Sequence, residues 1–191
     1  KYNGNFNGQG FTINGLFTDA ASVAYGGLFG YVGSSAVIEE ICIDYSFFKG
    51  GQYVGGIVGR NDGTINNCYA LYTVVTGDAY VGGIAGYNNG TVKNCYNAGD
   101  VSAISYVGGI AGANNATISN CYYLLGAATD SNGVVENGIG SGKTIEEFAS
   151  GEITYLLQAA NTKQLWGQKS NIPGTVPVFD KEGVYKVNAV E

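Results

Sequence analysis

Several residue types on which catalytic and metal sites depend are absent or scarce in this chain. Its 191 residues include no histidine and no methionine, and only 13% of them are charged. Without histidine, the commonest general base and metal ligand is missing. A net charge of −6 argues against binding to a phosphate backbone, so nucleic acid is not an expected partner. No apolar run approaches the roughly 20 residues that a membrane span needs.

What the chain has instead is a repeat. A phrase rich in tyrosine and glycine occurs four times, at residues 25–30 (YGGLFG), 53–59 (YVGGIVG), 80–86 (YVGGIAG) and 106–112 (YVGGIAG). A second phrase follows at residues 63–69 (GTINNCY), 90–96 (GTVKNCY) and 116–122 (ATISNCY). Equivalent residues lie 27 and then 26 positions apart. A fixed period of this length is typical of a solenoid, in which each unit buries its apolar face only against its neighbours.

The residues of each unit favour strands rather than helices, since Tyr, Val, Ile, Thr and Gly dominate and turn triplets such as Asn88-Asn-Gly90 separate the runs. Two corners are expected, one at the Gly-Gly pair and one at the asparagines before each cysteine, because both residue types tolerate left-handed backbone angles. A third run at residues 73–76 aligns with residues 100–103. We therefore predict an all-β fold, a parallel β-solenoid of about 4–5 coils of 26–27 residues with three strands in each coil. Ile57, Ile84 and Ile110, which recur beside the Gly-Gly pair, are expected to stack inside it.

Weaker copies extend the repeat towards the N-terminus. Residues 12–17 (TINGLF) and 37–42 (VIEEIC) align with residues 64–69, which places Leu16 and Ile41 in the column that Cys68, Cys95 and Cys121 occupy later. Cys42 then falls one residue outside this column and is expected to tolerate substitution. Three states remain open for the cysteines: buried free thiols, which behave as small hydrophobes, a disulfide between neighbouring coils, or a metal site.

The repeat ends near residue 130, and a different pattern follows. We expect residues 1–130 to form the solenoid, residues 131–143 a linker and residues 144–191 a small α+β cap. Thr144 and Glu147 have the spacing of a capping box, residues 152–160 carry an apolar helical stripe, and residues 176–179 and 183–187 are expected to pair as a hairpin. Residues 138–144 (GIGSGKT) end like a phosphate-binding loop, but the strand and the acidic residue that such a site needs are missing.

The tetrads at residues 27–30, 56–59, 83–86 and 109–112, each followed by the phrase that ends in Cys-Tyr, resemble the GLUG-motif repeat family. This resemblance covers residues 1 to about 125. It implies a β-solenoid, an extracellular location on the bacterial cell surface or in secreted proteins, and membership of adhesin-like proteins or of the non-catalytic region of some immunoglobulin A peptidases. It brings no catalytic residue and no cofactor. Because the chain starts within a partial repeat, we expect it to be a fragment whose partners include further domains of the same longer chain.

The tyrosines are the best candidates for binding. Tyr69, Tyr96 and Tyr122 occupy one position of the repeat, and Tyr53, Tyr80 and Tyr106 occupy another. An exposed row of rings can stack on the faces of sugars. The alternative is that the ladder only stabilises the stacked coils. We expect a non-enzymatic module that acts as a rigid spacer and adheres to host glycan or protein, with no metal site. The alternatives are an accessory or catalytic domain of a secreted carbohydrate-active enzyme or peptidase, and an ice or mineral binder on a threonine column.

Overall fold

A computed structural model describes residues 1–131, 133–134, 139–168 and 174–182. The chain divides into two compact units, Lys1–Gly142 and Lys143–Glu191. The first unit is a parallel β-solenoid of about four coils, which confirms the predicted fold class. The described strands are, in chain order, β1 (Asn5–Asn14), β2 (Phe17–Asp19), β3 (Phe29–Val32), β4 (Val37–Asp44), β5 (Phe47–Lys49), β6 (Gln52–Gly55), β7 (Val58–Asn61), β8 (Thr64–Leu71), β9 (Val74–Gly82), β10 (Ala85–Asn88), β11 (Thr91–Lys93), β12 (Tyr96–Ala98), β13 (Val101–Gly108), β14 (Ala111–Asn114), β15 (Thr117–Ser119), β16 (Tyr122–Leu124), β17 (Ala128–Asp130), β18 (Gly133–Val134), β19 (Ser141–Lys143), β20 (Trp166–Gly167) and β21 (Val178–Phe179).

Each coil contributes strands to three sheets. The first sheet has the order β1-β4-β8-β12-β16-β19, with β11 beside β8 and β15 beside β11. The second has the order β14-β10-β7-β3, and the third the order β18-β17-β13-β9-β5-β2, with β6 beside β9. Neighbouring coils pair in parallel, as β4 does with β8 and β7 with β10. Stacked coils of this kind turn every repeated residue into a column that runs along the solenoid.

The core is made by the apolar residues that recur in every coil. Ile57, Ile84 and Ile110 are fully buried. The amide of Ile57 donates to the carbonyl of Ile84, and the amide of Ile84 donates to the carbonyl of Ile110. The glycines beside them are needed for space, because a Cβ on Gly83 would lie 2.3 Å from the side chain of Asn97 and 2.4 Å from the carbonyl oxygen of Gly109. The predicted inward isoleucine column is therefore confirmed.

The two corners differ from each other in which residue turns the backbone. Asn67, Asn94 and Asn120 have φ values of 51°, 54° and 50°, which confirms the asparagine corner. At the other corner, the positive φ in the last three copies belongs to the tyrosine before the Gly-Gly pair, at Tyr53, Tyr80 and Tyr106, with values of 54°, 58° and 53°. In the first copy it belongs to Gly27 of the pair, with φ at 141°. The glycines of the last three copies serve close packing, so the predicted Gly-Gly turn is wrong for these copies.

Two register predictions are wrong. Val75 pairs with Val101, so residues 73–76 align one position earlier than expected, because Gly99 alone replaces Tyr72 and Thr73. This single deletion changes the repeat from 27 to 26 residues. In the first coil, Phe11 rather than Leu16 lies opposite Ile41, and Thr12 lies opposite Cys42. Residues 8–10 bulge opposite the single residue Glu40, which a gap-free alignment of the sequence misses.

The second unit contains α1 (Ile145–Ser150) and α2 (Glu152–Ala159). Thr144 and Glu147 form the predicted capping box, and Gly151, with φ at 94°, separates the helices. Phe148, Ile153 and Leu157 are buried. Val178–Phe179 pairs antiparallel with Trp166–Gly167, whereas the predicted partner segment at residues 183–187 lies outside the described residues. No described helix is long and apolar enough to cross a membrane.

Residues 139–143 lead into α1 through the short strand β19 rather than through a phosphate-binding loop. The ammonium of Lys143 lies 2.9 Å from a carboxylate oxygen of Glu147 and 3.8 Å from one of Glu152. A lysine paired with two carboxylates is poorly placed to bind phosphate. Gly138, the first residue of the proposed loop, lies outside the described residues.

Candidate binding surface

The predicted binding residues form one column, but the structure buries them. Tyr69 pairs with Tyr96, and Tyr96 with Tyr122, in neighbouring strands of the first sheet. Their exposed fractions are 4%, 0% and 8%. The rings of Tyr69 and Tyr96 stack on each other with centroids 4.9 Å apart. The three tyrosines therefore do not form the exposed row that stacking on a sugar requires. Glycan binding by these residues stays a prediction, and the buried rings do not support it.

Burial also changes the chemistry of this column. Desolvation raises the pKa of the Tyr96 hydroxyl well above its ordinary value. A phenol that holds its proton in this way is a packing group rather than an acid. The three tyrosines of this column therefore contribute to packing inside the solenoid.

A second tyrosine column, which we call the outer ladder, lies at the other corner. It consists of Tyr25, Tyr53, Tyr80 and Tyr106, whose successive centroids are 5.4, 4.9 and 4.7 Å apart with planes inclined by 17°, 9° and 7°. Rings stacked along the solenoid cover one another's faces, so the inner members present edges to solvent. The sequence placed both columns in the same class, although only this one reaches the surface.

The outer ladder is flanked by a mixed column on the second sheet. Arg60, in strand β7, lies between Tyr31 and Tyr87 of the neighbouring coils, with its guanidinium carbon 5.1 and 5.6 Å from their ring centroids. Asp62 accepts a hydrogen bond from Arg60 Nε at 3.1 Å and another from the Tyr31 hydroxyl. Tyr87 meets Tyr53 edge-on, with centroids 5.8 Å apart. The only arginine of the chain is thus held by two rings and a carboxylate.

A third exposed group, which we call the corner pair, consists of Tyr45 and Tyr72. Their rings stack with centroids 4.9 Å apart and planes inclined by 26°, and 63% and 55% of these residues are exposed. Sequence reasoning missed them. The sequence does indicate this pair, because one tyrosine follows Asp44, another follows Leu71, and these positions lie one coil apart. The residues around them do not repeat clearly, so the pair was overlooked.

The cysteines are free thiols in the structure, and all four are buried. Ile41 pairs with Cys68 and Cys42 with Tyr69, so Cys42 lies outside the column, as predicted. Burial raises the pKa of Cys42 to about 12. Its expected tolerance was inferred from a position outside the core, whereas only 1% of the residue is exposed. Among the described residues, no group of three or more His, Cys, Asp or Glu could hold a metal ion.

Comparison with known proteins places this solenoid among similar repeats. Residues 50–75 and 77–102 match the GLUG motif. A stretch of 73 residues, 38% of this chain, is 37% identical to halomucin of Haloquadratum walsbyi, and a stretch of 70 residues, 35% of this chain, is 33% identical to a protein of Evansella cellulosilytica named as a Gly-rich membrane protein. These matches span 1% and 8% of the two relatives.

Among solved structures, a Bacteroides ovatus protein assigned as an immunoglobulin A1 protease has the same fold. The TM-score is 0.56 and the identity 20%, over 92% of this chain and 76% of that one. The matched segments at residues 50–75 and 77–102 correspond to adjacent coils, and the glycines that define them are those whose Cβ positions the neighbouring backbone occupies. The chain therefore contains two matched GLUG-motif repeats, at residues 50–75 and 77–102, which form adjacent coils of its β-solenoid.

Proposed function

We propose that this chain is a non-enzymatic module of an extracellular bacterial surface protein, which acts as a rigid spacer and adheres to host glycan or protein. The observation that carries the proposal is the set of continuous columns along the solenoid. Each coil is tied to the next by backbone pairing, stacked rings and side-chain amides, so bending the solenoid disturbs many contacts at once.

The amide ladder illustrates this stiffness. Asn61 donates to Asn88 at 2.7 Å, and Asn88 donates to Asn114 at 2.7 Å. Asn61 and Asn88 are fully buried, so these bonds are protected from water. A solenoid held in this way keeps its own first and last coils at a fixed distance, which is what a spacer needs.

The surface supports adhesion more than catalysis. The charged groups beside the outer ladder, Arg60 and Asp62, bond to each other, and the neighbouring surface consists of tyrosine rings and hydroxyls. Tyrosine supplies contact area and hydrogen bonds with few rotatable bonds, which favours binding. The names of halomucin and of the Gly-rich membrane protein favour a surface location. The likeness to the protease-assigned protein favours, as the alternative, an accessory domain of a secreted enzyme.

Adhesion is tested with the purified chain on immobilised host glycans, on extracellular-matrix proteins and on cultured host cells. We expect saturable binding that falls in the variant Tyr53→Ala/Tyr80→Ala, which opens the outer ladder. The matched control is Thr76→Ala/Ser102→Ala, which removes a hydrogen-bonded hydroxyl pair on the third sheet. Absence of binding to every surface contradicts the adhesive role. Hydrolysis of a polysaccharide or peptide that one carboxylate substitution abolishes contradicts the non-enzymatic role.

A further inference from the structure

The corner pair occupies a backbone position that suits glycine. Gly15, Tyr45 and Tyr72 follow the paired residues Asn14, Asp44 and Leu71 in three successive coils, and their φ values are 72°, 41° and 42°. In the next coil the corner is one residue shorter, and Gly99, which follows Ala98, the partner of Leu71, is not among the residues with a positive φ. Tyrosine at such an angle is strained, and the strain is absent at Gly15.

Packing of the core does not explain why tyrosine replaces glycine here. Both tyrosines are more than half exposed, whereas a residue kept for its packing is buried. Strained residues that persist at an exposed position are a recognised feature of binding sites. The strain and the exposure therefore point together to a role outside the core.

The stacking differs from that of the outer ladder in a way that matters for ligands. Tyr53 has a tyrosine on each side along the solenoid, at 5.4 and 4.9 Å, so both of its faces are covered. The corner pair is a stack of only two rings, because the positions before and after it are glycines. A Cβ built on Gly15 would have no atom within 4 Å. The face of Tyr45 that looks towards Gly15 is accordingly open.

Polar and apolar groups lie beside this open face. Asp44 precedes Tyr45, and its Oδ1 accepts a hydrogen bond from the Tyr45 amide at 2.9 Å, which holds the turn. Asn14 is the partner of Asp44 in the first coil and is exposed. Two residues after Gly15, Phe17 stacks on Phe47 with centroids 5.3 Å apart, and Phe17 is also largely exposed. A flat ring with a carboxylate and an amide at its side suits a ligand that is apolar on one face and hydroxylated at its rim.

We propose that the corner pair is a saccharide-binding site, in which a pyranose ring lies on the open face of Tyr45 above Gly15 and its hydroxyls bond to Asp44 and Asn14. The carboxylate disfavours an anionic ligand, so the saccharide is neutral or carries an amino group. This inference deepens the adhesive part of the proposed function by naming a ligand class and a site. It does not depend on the spacer role.

The test uses a glycan array followed by calorimetric titration of the neutral oligosaccharide that binds most strongly. In the variant Tyr45→Gly/Tyr72→Gly we expect affinity to fall by about tenfold or more, since stacking on an aromatic face contributes on the order of one tenfold step in affinity. Glycine already occupies this corner in the preceding coil, at Gly15 with φ at 72°, so thermal unfolding is expected to stay close to that of the wild-type chain. Tyr45→Phe keeps the ring and is expected to retain most of the affinity.

The control is Ile104→Ala, which removes a side chain from strand β13 of the third sheet at a residue that is 65% exposed and belongs to neither tyrosine group. Binding that is lost in the corner variant and kept in this control supports the site. Binding that is kept in the corner variant, or lost equally in both variants, overturns the site. An array on which no saccharide binds also overturns it.

If a matrix protein binds while no saccharide does, this site is wrong and the adhesive function stands. If the corner variant unfolds, a titration of Asp44→Ala decides, because unchanged affinity in that folded variant overturns the site.

Discussion

The buried tyrosine column and the outer ladder contain the same residue at the same spacing, yet the structure places them in opposite environments. Tyr96 lies among buried neighbours, Cys95 and Asn97, and its side chain is fully buried. Tyr80 lies between Ala79, which is half-buried, and the inward Val81, and has a positive φ of 58° that turns its ring to the surface. A repeated aromatic residue therefore shows that a column exists, while the backbone angle at that residue decides whether the column is buried or exposed.

The largest test of this difference is removal of one ring from each column. We expect Tyr96→Ala to lower the free energy of unfolding by about 3–5 kcal/mol, because it deletes a fully buried aromatic side chain and leaves a cavity. Tyr80→Ala is expected to cost about 1 kcal/mol, since it removes two stacking contacts and an edge contact with Tyr87 from a half-buried position and creates no enclosed cavity. Urea unfolding of the two variants measures both values.

Equal losses in the two variants would show that the columns do not differ in burial. The variant Tyr96→Phe serves as the control within the buried column, because it keeps the ring and removes only the hydroxyl. A loss in Tyr96→Phe as large as that in Tyr96→Ala would assign the stability to hydrogen bonding rather than to packing.

The sequence predicted the repeat, the parallel solenoid and the inward isoleucines, because these follow from a pattern that recurs at a nearly fixed period. It predicted the capping box because that depends on two residues three positions apart. It did not predict which tyrosine column is buried. That outcome depends on how the backbone turns at Tyr53, Tyr80 and Tyr106, where the Gly-Gly pair was expected to make the turn. The first coil was misaligned for a related reason, since the bulge at residues 8–10 has no counterpart later in the repeat.

The cysteines give a test of intermediate size, which sharpens the comparison inside the solenoid. Cys95 lies in the core column, where its Sγ donates to the carbonyl of Lys93 at 3.0 Å. Cys42 lies in the tyrosine column, with the Tyr69 and Thr12 side chains as hydrogen-bond partners. We expect Cys95→Ser to cost about 1–3 kcal/mol, because it buries a hydroxyl among apolar side chains. Cys42→Ser is expected to cost less, since Tyr69 and Thr12 offer partners to a hydroxyl. Chemical denaturation measures both losses.

The state of the thiols is checked on the native chain. Burial raises the pKa of Cys42 to about 12, above that of an unfolded cysteine. The thiol therefore favours the folded state below the unfolded pKa, and this stabilisation is lost as pH rises from there towards 12. We expect a thiol reagent to label the four cysteines only after unfolding. Two disulfides in the native protein, or a Cys42→Ser loss larger than that of Cys95→Ser, would contradict this assignment.

The smallest expected effect concerns Arg60 at the edge of the outer ladder. Burial alone would raise the pKa of the Asp62 carboxyl, but hydrogen bonds from Tyr31 and Arg60 outweigh it, so the pKa is lowered. The resulting stabilisation is present above the ordinary pKa of aspartate and is lost as pH falls through the lowered value. Arg60→Ala removes one of these bonds and two cation–π contacts, and we expect a loss of about 0.5–1 kcal/mol near neutral pH. The pKa of Asp62 should rise in the variant, so acid unfolding of the variant should begin at a higher pH. Urea midpoints measured from neutral to acid pH will show this shift.

The variant Arg60→Lys separates the ion pair from the ring contacts, because lysine keeps the charge but loses the planar group that lies between Tyr31 and Tyr87. Added salt weakens an exposed ion pair more than ring packing, so a loss in Arg60→Ala that vanishes at high salt would assign the effect to Asp62, whereas a loss that persists assigns it to the rings.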